Sequence, residues 1–441
     1  MPATPFDSLH LNTLFPAGDI GKLFSDSAEI RAMMLVQGSL ALVQGEAGTI
    51  PQLSAKALHR ASLELQIDPA GLAESCEQNG VTVPGLVAAF RKALQAPEHG
   101  QYLHWGATSQ DIQDSALMLR MKRALGMMEA HLRAILANLA KLAQAHADTP
   151  MTARSYGQHA VPTSFGAQVA SWGWPLIAQL EALAELRAQT LLVSLSGAAG
   201  TASALGDDPI ALRAELAAKL GLQDPGRSWH SDRGPILQQA DWMARTAIAL
   251  GKLGEDLILA TQSGIGEVTL GGAGGSSTMP QKQNPVLPSA LVALARHAQG
   301  LNTTLQGAAL HRQQRDGAAW FTEWLTFPQL VQSCAAALAQ AEAVTGGLSP
   351  NVARMSEILE ETGGFVLAEA LSFALAAKMP RPEAQAETKT LCAKARDTGQ
   401  DLAAIAKEAH PDLPATLFGM TQQLGTAPDE ARRFAQAAAA L

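Results

Sequence analysis

Apolar residues recur every three or four positions over long stretches of the chain, which is the pattern of amphipathic helices. The longest run predicts a helix from residue 111 to near Pro150. Its apolar face carries Leu125, Met128, Leu132, Ile135, Leu136, Leu139 and Leu142. Further runs predict long helices over 165–183, 236–262, 286–307 and 326–345, and shorter ones over 29–48, 53–66 and 84–96. Helices much longer than the average of roughly 11–12 residues indicate an extended bundle.

Three polar loops interrupt this helical pattern, and each lies beside a long helix. They span residues 97–109, 152–164 and 271–285. The helical pattern predicts an all-α protein, and a further break at 346–351 marks a domain boundary. We expect an N-terminal helical domain (1–110), a central long-helix domain (111–350) and a small C-terminal helical domain (351–441). The sequence contains no phosphate-binding G-x-x-x-x-G-K-[ST] motif and no H-E-x-x-H zinc motif.

Composition narrows the class of protein. Ala and Leu dominate, which favours helix, and only 16% of residues are charged, which indicates that some helix faces are buried against other subunits. The net charge of −8 comes with no basic stripe, so nucleic acid is not an expected partner. Three widely spaced cysteines indicate neither a disulfide framework nor a zinc ribbon. Without a secretory leader or an apolar run of about 18 residues, a cytoplasmic protein that does not enter membranes is expected.

The third loop carries the most specific motif. Its "GGSSTMPQKQNP" resembles the signature G-S-S-x-M-P-x-K-x-N-P of the fumarase/aspartase/argininosuccinate lyase superfamily. "HWGATSQD" in the first loop and "RSYGQHAVPTSFG" in the second resemble the other two short motifs of that superfamily, in the same order. The resemblance implies a three-domain homotetramer with a central helical bundle. It also implies sites built from three subunits, with no metal and no organic cofactor.

The resemblance also implies a carbanion intermediate whose charge spreads into an adjacent carboxylate. Such a species needs a cation and fixed hydrogen-bond donors. Lys282 supplies the cation, and Asn284 and the glycine-rich backbone supply N–H groups. Ser276 matches the superfamily's proton-transferring serine, and Ser277 and Met279 are expected to contact substrate. The alternative is an ordinary flexible surface loop.

The second loop departs from the lyase pattern. Most eliminating members have Thr-His where this chain has Ser155-Tyr156, and the nearest imidazole is His159. This departure argues against a standard fumarase, aspartase or argininosuccinate lyase. Tyr156 and Gln158 are candidate substrate contacts, and His159 is a candidate proton donor, with a structural hydrogen bond as its alternative role.

The first loop offers polar groups for a carboxylate. Thr108 and Ser109 are expected to hydrogen-bond the substrate, or to cap the helix that follows, and both roles are compatible. His104 is either a ligand-facing donor or a packed loop residue. Trp105 is a further candidate substrate contact.

The segment 311–328 indicates which branch of the superfamily the chain resembles. Arg315 is a candidate ligand for a carboxylate. Trp320 and Trp324 stand where a nucleotide-binding member of the superfamily has polar groups. A pocket lined by two indole rings favours a small planar acid as the substrate. The alternative is that both rings are part of the packed core. With "SWHSDRG" and "ETGGFVLAEA", this segment resembles the muconate cycloisomerase branch. The expected substrate is a small di- or tricarboxylate that closes a lactone. The alternatives are the sulfonated analogue, a C–N lyase like adenylosuccinate lyase, and a non-catalytic structural homologue.

Overall fold

The computed structural model describes residues 4–271, 274–275, 279 and 282–441 of the chain. The amino-terminal part forms α1 (Gly18–Lys22), α2 (Asp26–Glu46), α3 (Gln52–Glu64), α4 (Ala73–Asn79), α5 (Val83–Leu94) and α6 (Pro97–Gly100). The three short helices predicted here are confirmed as α2, α3 and α5, each within a few residues. The loop predicted at 97–109 contains one turn of helix, α6, before it becomes irregular.

The middle of the chain forms the long helices. They are α7 (Ser109–Ala145), α8 (Phe165–Thr190), α10 (Gly234–Ala260), α11 (Val286–Gly307) and α12 (Gly317–Gly347), with the shorter α9 (Pro209–Leu220) between α8 and α10. All five predicted long helices are confirmed. However, α12 begins about nine residues before the predicted start near 326, because Trp320, Trp324 and Phe327 continue its apolar spacing. Pro328 lies inside this helix.

Short antiparallel strands accompany the helices. They are β1 (Pro150–Ser155), β2 (Gln158–Ser164), β3 (Val268–Leu270), β4 (Gly274–Gly275), β5 (Gln283–Asn284) and β6 (Leu348–Pro350), paired β1–β2, β3–β6 and β4–β5. The all-α prediction therefore holds for most of the described chain. The loop predicted at 152–164 is wrong, since this segment forms the β1–β2 hairpin. Its β-branched Thr152, Val161 and Thr163 favour strand.

The carboxy-terminal part is helical, as predicted. It forms α13 (Val352–Glu361), α14 (Ala368–Ala376), α15 (Arg381–Thr398), α16 (Leu402–Ala409) and α17 (Ala427–Ala439). Buried leucines from several of these helices make one apolar cluster, in which Leu371, Leu391 and Leu402 are each less than 5% exposed.

The chain divides into two compact units. Unit 1 comprises Met1–His131, Gln179–Ile248 and Ala293–Ala339, and unit 2 comprises Leu132–Ala178, Ala249–Val292 and Gln340–Leu441. The first loop and Arg315 belong to unit 1, whereas the second and third loops belong to unit 2. The division into domains 1–110, 111–350 and 351–441 stays a prediction.

Candidate active site

The first loop ends where helix α7 begins, at Ser109. The backbone N–H of Thr108 donates to Oδ2 of Asp111 over 3.0 Å, which is the reciprocal half of a capping box. Asp111 therefore lies in the first turn, as predicted, whereas capping by the hydroxyl of Thr108 or Ser109 stays a prediction. Gly106 has φ +71°, and a Cβ atom there would lie 2.3 Å from the carbonyl oxygen of Ala204. Only glycine lets the loop approach that backbone so closely.

Asp111 holds this helix start against a second segment of unit 1. Its buried carboxylate accepts backbone N–H groups from Ser196 over 2.8 Å and from Gly197 over 3.0 Å. Its Oδ1 also lies 2.8 Å from Nε2 of His230. These contacts tie the start of α7 to residues 196–197 and to His230. The loop geometry around Thr108 is therefore fixed before any ligand arrives.

Arg315 lies against the start of α7, as expected if Arg315 and Thr108 bind the same substrate. Its Nε donates to Oε1 of Gln110 over 2.9 Å, and its Nη2 donates to Oγ1 of Thr108 over 3.3 Å and to the Ala198 carbonyl over 3.2 Å. A guanidinium has five N–H groups, and Nη1 makes no hydrogen bond within the described part of the chain. The structure thus brings together a hydroxyl and a cation that still has donors for a carboxylate.

His104 and Trp105 occupy the same loop in different environments. The His104 backbone is left-handed, with φ +65°, and its Nδ1 lies 2.9 Å from Nε2 of Gln37. Burial lowers the pKa of His104 to about 4, so the imidazole is neutral at neutral pH. Trp105 is exposed, and its ring packs 5.7 Å from that of Tyr102.

The depressed pKa of His104 predicts a pH-dependent stability. Because the folded state binds this proton only near pH 4 and the unfolded state near pH 6.5, stability from this group is complete above about pH 6.5 and is lost as pH falls towards 4. We expect the free energy of unfolding to fall by about 2 kcal/mol more in the wild type than in His104→Gln between about pH 7.5 and pH 5. Denaturant titrations of both proteins measure this difference. Equal losses would contradict the prediction.

The second loop is the tip of the β1–β2 hairpin. Tyr156 and Gly157 are its two turn residues, with φ +54° and +73°, as a type I′ turn requires. Tyr156 is fully exposed, with a relative accessibility of 105%, and Gln158 and His159 are also exposed. The predicted substrate contacts Tyr156 and Gln158 and the predicted proton donor His159 therefore lie together on the surface of unit 2.

A partly buried ion pair holds this hairpin near its tip. Arg154, which faces His159 across the ladder, donates to both oxygens of Glu267 over 2.7 and 3.0 Å. The pKa of Glu361 is lowered chiefly by Arg354, with a smaller effect from the charge of His159. The carboxylate of Glu361 is thus close enough to His159 for the two side chains to interact electrostatically.

The third loop is only partly described. Ser276 and Ser277, the predicted proton-transfer and substrate-binding serines, lie outside the described residues. Asn284 pairs with Gly274 in the β4–β5 ladder, and the backbone N–H of Lys282 donates to the Met279 carbonyl over 3.0 Å. The side chains of Lys282 and Met279 are exposed. Lys282, Met279 and Asn284 therefore share one loop surface of unit 2.

Trp320 is not placed beside the Thr108–Arg315 contact. It is 3% exposed, and its ring centroid lies 4.8 Å from that of Trp324. Both rings line a separate cavity of unit 1 whose lining includes neither Thr108 nor Arg315. Its predicted contact with the substrate stays a prediction.

A buried charge network behind Arg315 was missed from the sequence. Arg233 donates to both oxygens of Asp114 over 2.8 and 3.0 Å and to both oxygens of Glu323 over 2.9 and 2.7 Å. Gln110 joins this network to Arg315, because its Nε2 donates to Asp114 over 3.2 Å. Burial raises the pKa of Glu323 despite the guanidinium. The signal for this network in the sequence was Asp114, an acidic residue that lies on the buried face of α7.

Neither a metal cluster nor a membrane span is present among the described residues. No group of three or more His, Cys, Asp or Glu side chains there is arranged to hold a metal ion. None of the described helices has the length and apolar character needed to cross a bilayer.

Comparison with known proteins identifies relatives along most of the chain. A protein-family model described as a lyase matches residues 27–300. A 3-carboxy-cis,cis-muconate cycloisomerase from Pseudomonas aeruginosa is 36% identical over 399 residues, covering 89% of this chain and 87% of that protein. A nitrosuccinate lyase from Streptomyces davaonensis is 33% identical, covering 92% of this chain and 89% of that protein.

The fold has a close counterpart among solved structures. The crystal structure of the 3-carboxy-cis,cis-muconate lactonizing enzyme from Pseudomonas putida superimposes with a TM-score of 0.91 and 31% identity, covering 98% of this chain and 99% of that chain. The resemblance predicted from the loop motifs is confirmed. The chain therefore belongs to the lyase family that its sequence matches, within the fumarase/aspartase superfamily.

Proposed function

We propose that this protein converts 3-carboxy-cis,cis-muconate into a carboxymuconolactone. The observation that carries the proposal is the Arg315 guanidinium held beside Thr108 at the start of α7, in a chain similar over most of its length to cycloisomerases of that substrate. Arg315 and Thr108 provide a cation and a hydroxyl for one substrate carboxylate. His104 and Trp105 precede Thr108 in the first loop, and Ser109 follows it at the start of α7.

The reaction is an intramolecular addition. One carboxylate oxygen of the substrate forms a C–O bond with an alkene carbon, and the π electrons move to the carbon next to a second carboxylate. A proton then adds to that carbon, so no atom leaves and the product is an isomer. Because nucleophile and alkene belong to one molecule, orientation supplies much of the rate enhancement. A histidine for a leaving group is unnecessary, which accounts for Tyr156 in the second loop.

We assign charge stabilisation to the third loop. Lys282 and Asn284 place an ammonium and an amide on the side where carbanion charge develops. Ser276 is the proposed proton-transfer residue, with His159 or Lys282 as alternative donors, and Ser277, Met279, Gln158, Tyr156 and Trp320 are proposed to contact the substrate. Neither a metal ion nor an organic cofactor takes part in this scheme.

We propose a homotetramer in which each site draws on several subunits. Exposed apolar side chains on the long helices support this assembly, including Ile248 and Leu259 on α10 and Leu325 on α12. The exposure of Tyr156 and His159 leaves the hairpin tip open to another subunit. Light scattering tests the assembly, since four chains of 46.1 kDa are readily distinguished from one. A cytoplasmic location stays a prediction.

A substrate panel tests the reaction. We expect purified protein to remove the diene absorbance of 3-carboxy-cis,cis-muconate, equally with and without a metal chelator. Parallel samples contain 3-sulfomuconate, unsubstituted muconate and adenylosuccinate. Faster turnover of the sulfonated substrate would reassign the substituent. Turnover of adenylosuccinate alone would contradict the cycloisomerase, and no turnover of any compound would favour a structural homologue.

A further inference from the structure

Two buried glutamines on α2 contact the first loop. Gln37 and Gln44 are seven residues apart, so both lie on the same face of the helix, and each is 1% exposed. Nε2 of Gln44 donates to the Trp105 carbonyl over 2.8 Å, and Nε2 of Gln37 lies 2.9 Å from Nδ1 of His104. Gln44 thus fixes the backbone of the loop, whereas Gln37 contacts the ring of a predicted substrate-binding residue.

The contact between Gln37 and His104 determines which ring nitrogen carries the proton. Burial keeps the His104 ring neutral at neutral pH, so it has a single N–H group. Because the Gln37 amide donates to Nδ1, that proton is on Nε2. This arrangement leaves one buried carbonyl oxygen, Oε1 of Gln37, without a partner. The reversed amide would leave an NH₂ group unpaired, and its two donors make that arrangement less favourable.

The second ring nitrogen is available to a ligand. Nε2 of His104 makes no hydrogen bond within the described residues and is not among their fully buried unpaired atoms. Four residues later the same loop reaches Thr108, whose hydroxyl accepts a hydrogen bond from Arg315. The N–H group of His104 therefore belongs to the loop that carries the proposed carboxylate contacts.

Two charged groups act on the His104 ring from neighbouring helices. Asp111 on α7 raises its pKa and Arg91 on α5 lowers it, and each effect is smaller than that of burial. Asp111 accepts backbone N–H groups, and Arg91 donates to backbone carbonyls. The His104 ring is hydrogen-bonded to neither of them, so its tautomer depends on Gln37.

We propose that Gln37 is a positioning residue for the lactonisation, which holds His104 as an Nε2–H donor to a substrate carboxylate. This inference rests on the proposed function. An N–H group at Nε2 attracts the carboxylate, whereas a lone pair at the same atom would repel it. His104 therefore binds the substrate and does not act as a base.

Gln37→Glu reverses the polarity of this contact. The new carboxylate accepts the proton of Nδ1, so the neutral ring presents a lone pair at Nε2, and only the protonated ring still donates from that atom. The carboxylate also raises the pKa of His104. We expect kcat/KM of this variant to fall about tenfold as pH rises through that raised pKa, mainly through a higher KM. The wild type should show no such fall, because its ring is neutral throughout that range.

NMR of protein with isotopically labelled histidine measures the tautomer without substrate. The chain has 11 histidines, and the His104 signal is the one that His104→Gln lacks. We expect the Nε2–H form in the wild type and the Nδ1–H form in Gln37→Glu above the raised pKa.

Two further variants are controls for this experiment. Gln37→Met removes the contact without reversing it, so the ring samples both tautomers and kcat/KM should fall by no more than about threefold at any pH. Adding His104→Gln to Gln37→Glu removes the titrating ring and should abolish the pH-dependent fall.

Two results would overturn the proposal. One is an Nδ1–H tautomer of His104 in the wild type, which NMR detects even if Gln37→Glu does not fold. The other is a folded Gln37→Glu with the reversed tautomer and the pH profile of the wild type, which would make the role of Gln37 structural only. A wild type that turns over no muconate would instead contradict the proposed function, whichever tautomer NMR shows.

Discussion

Replacing Lys282 with alanine is expected to lower kcat on 3-carboxy-cis,cis-muconate by about 10²–10³-fold, because the variant loses the cation beside the developing carbanion. KM should change much less, since this charge is proposed to act mainly in the transition state. The Lys282 side chain is exposed, so the free energy of unfolding should change by no more than about 0.5 kcal/mol. Steady-state kinetics and denaturant titration measure the two effects separately.

The control for Lys282 is another exposed lysine of unit 2. Lys389 lies on α15, and Lys389→Ala removes the same charge without touching any proposed site residue. We expect it to keep wild-type kcat, and light scattering should show the same assembly for both variants. Near wild-type turnover by Lys282→Ala would remove this residue from the mechanism. Equal losses in both variants would show that the effect is a general loss of charge.

Much of the fold could be predicted because helices record their packing in local spacing. The face of α7 that runs through Leu132 and Leu139 repeats every three or four residues, so the helix was visible without knowledge of its neighbours. The β1–β2 hairpin could not be predicted in this way, because its signal is a two-residue turn of Tyr156 and Gly157. A tyrosine at positive φ is uncommon, and Asn-Gly or Asp-Gly is the usual signal for such a turn.

The candidate site was predictable only where its residues lie in recognisable motifs. Thr108 and Arg315 were both selected from the sequence, and the structure brings them together. The Arg233 network was not selected, because Asp114 lies 119 residues from its partner in the chain. No local pattern pairs two charges so far apart. Trp320 and Trp324 were predicted to favour a small planar acid, with core packing as the alternative, but their separation from Arg315 depends on which face of α12 they occupy.

Replacing Arg233 with methionine is expected to destabilise the protein by about 3–5 kcal/mol, because Asp114 and Glu323 would then be buried without a compensating charge. Both carboxylates are at most 2% exposed, and four hydrogen bonds of 3.0 Å or less join them to the guanidinium. The matched control is Arg60→Met. The side chain of Arg60 is 79% exposed and pairs with Glu64, whose side chain is 59% exposed, so its loss should cost less than about 1 kcal/mol.

The pH dependence distinguishes an unpaired charge from lost packing in Arg233→Met. Burial raises the pKa of Glu323, and the variant lacks the guanidinium that opposes this effect, so its folded state holds a proton that the unfolded state releases as pH rises. Stability of the variant should therefore fall relative to wild type between about pH 5 and pH 7.5. Adding Asp114→Asn and Glu323→Gln removes both charges and should recover part of the loss and its pH dependence. A pH-independent loss that the two amides do not reduce would instead attribute the effect to packing of Arg233 against Trp229, whose ring lies 4.8 Å from the guanidinium carbon.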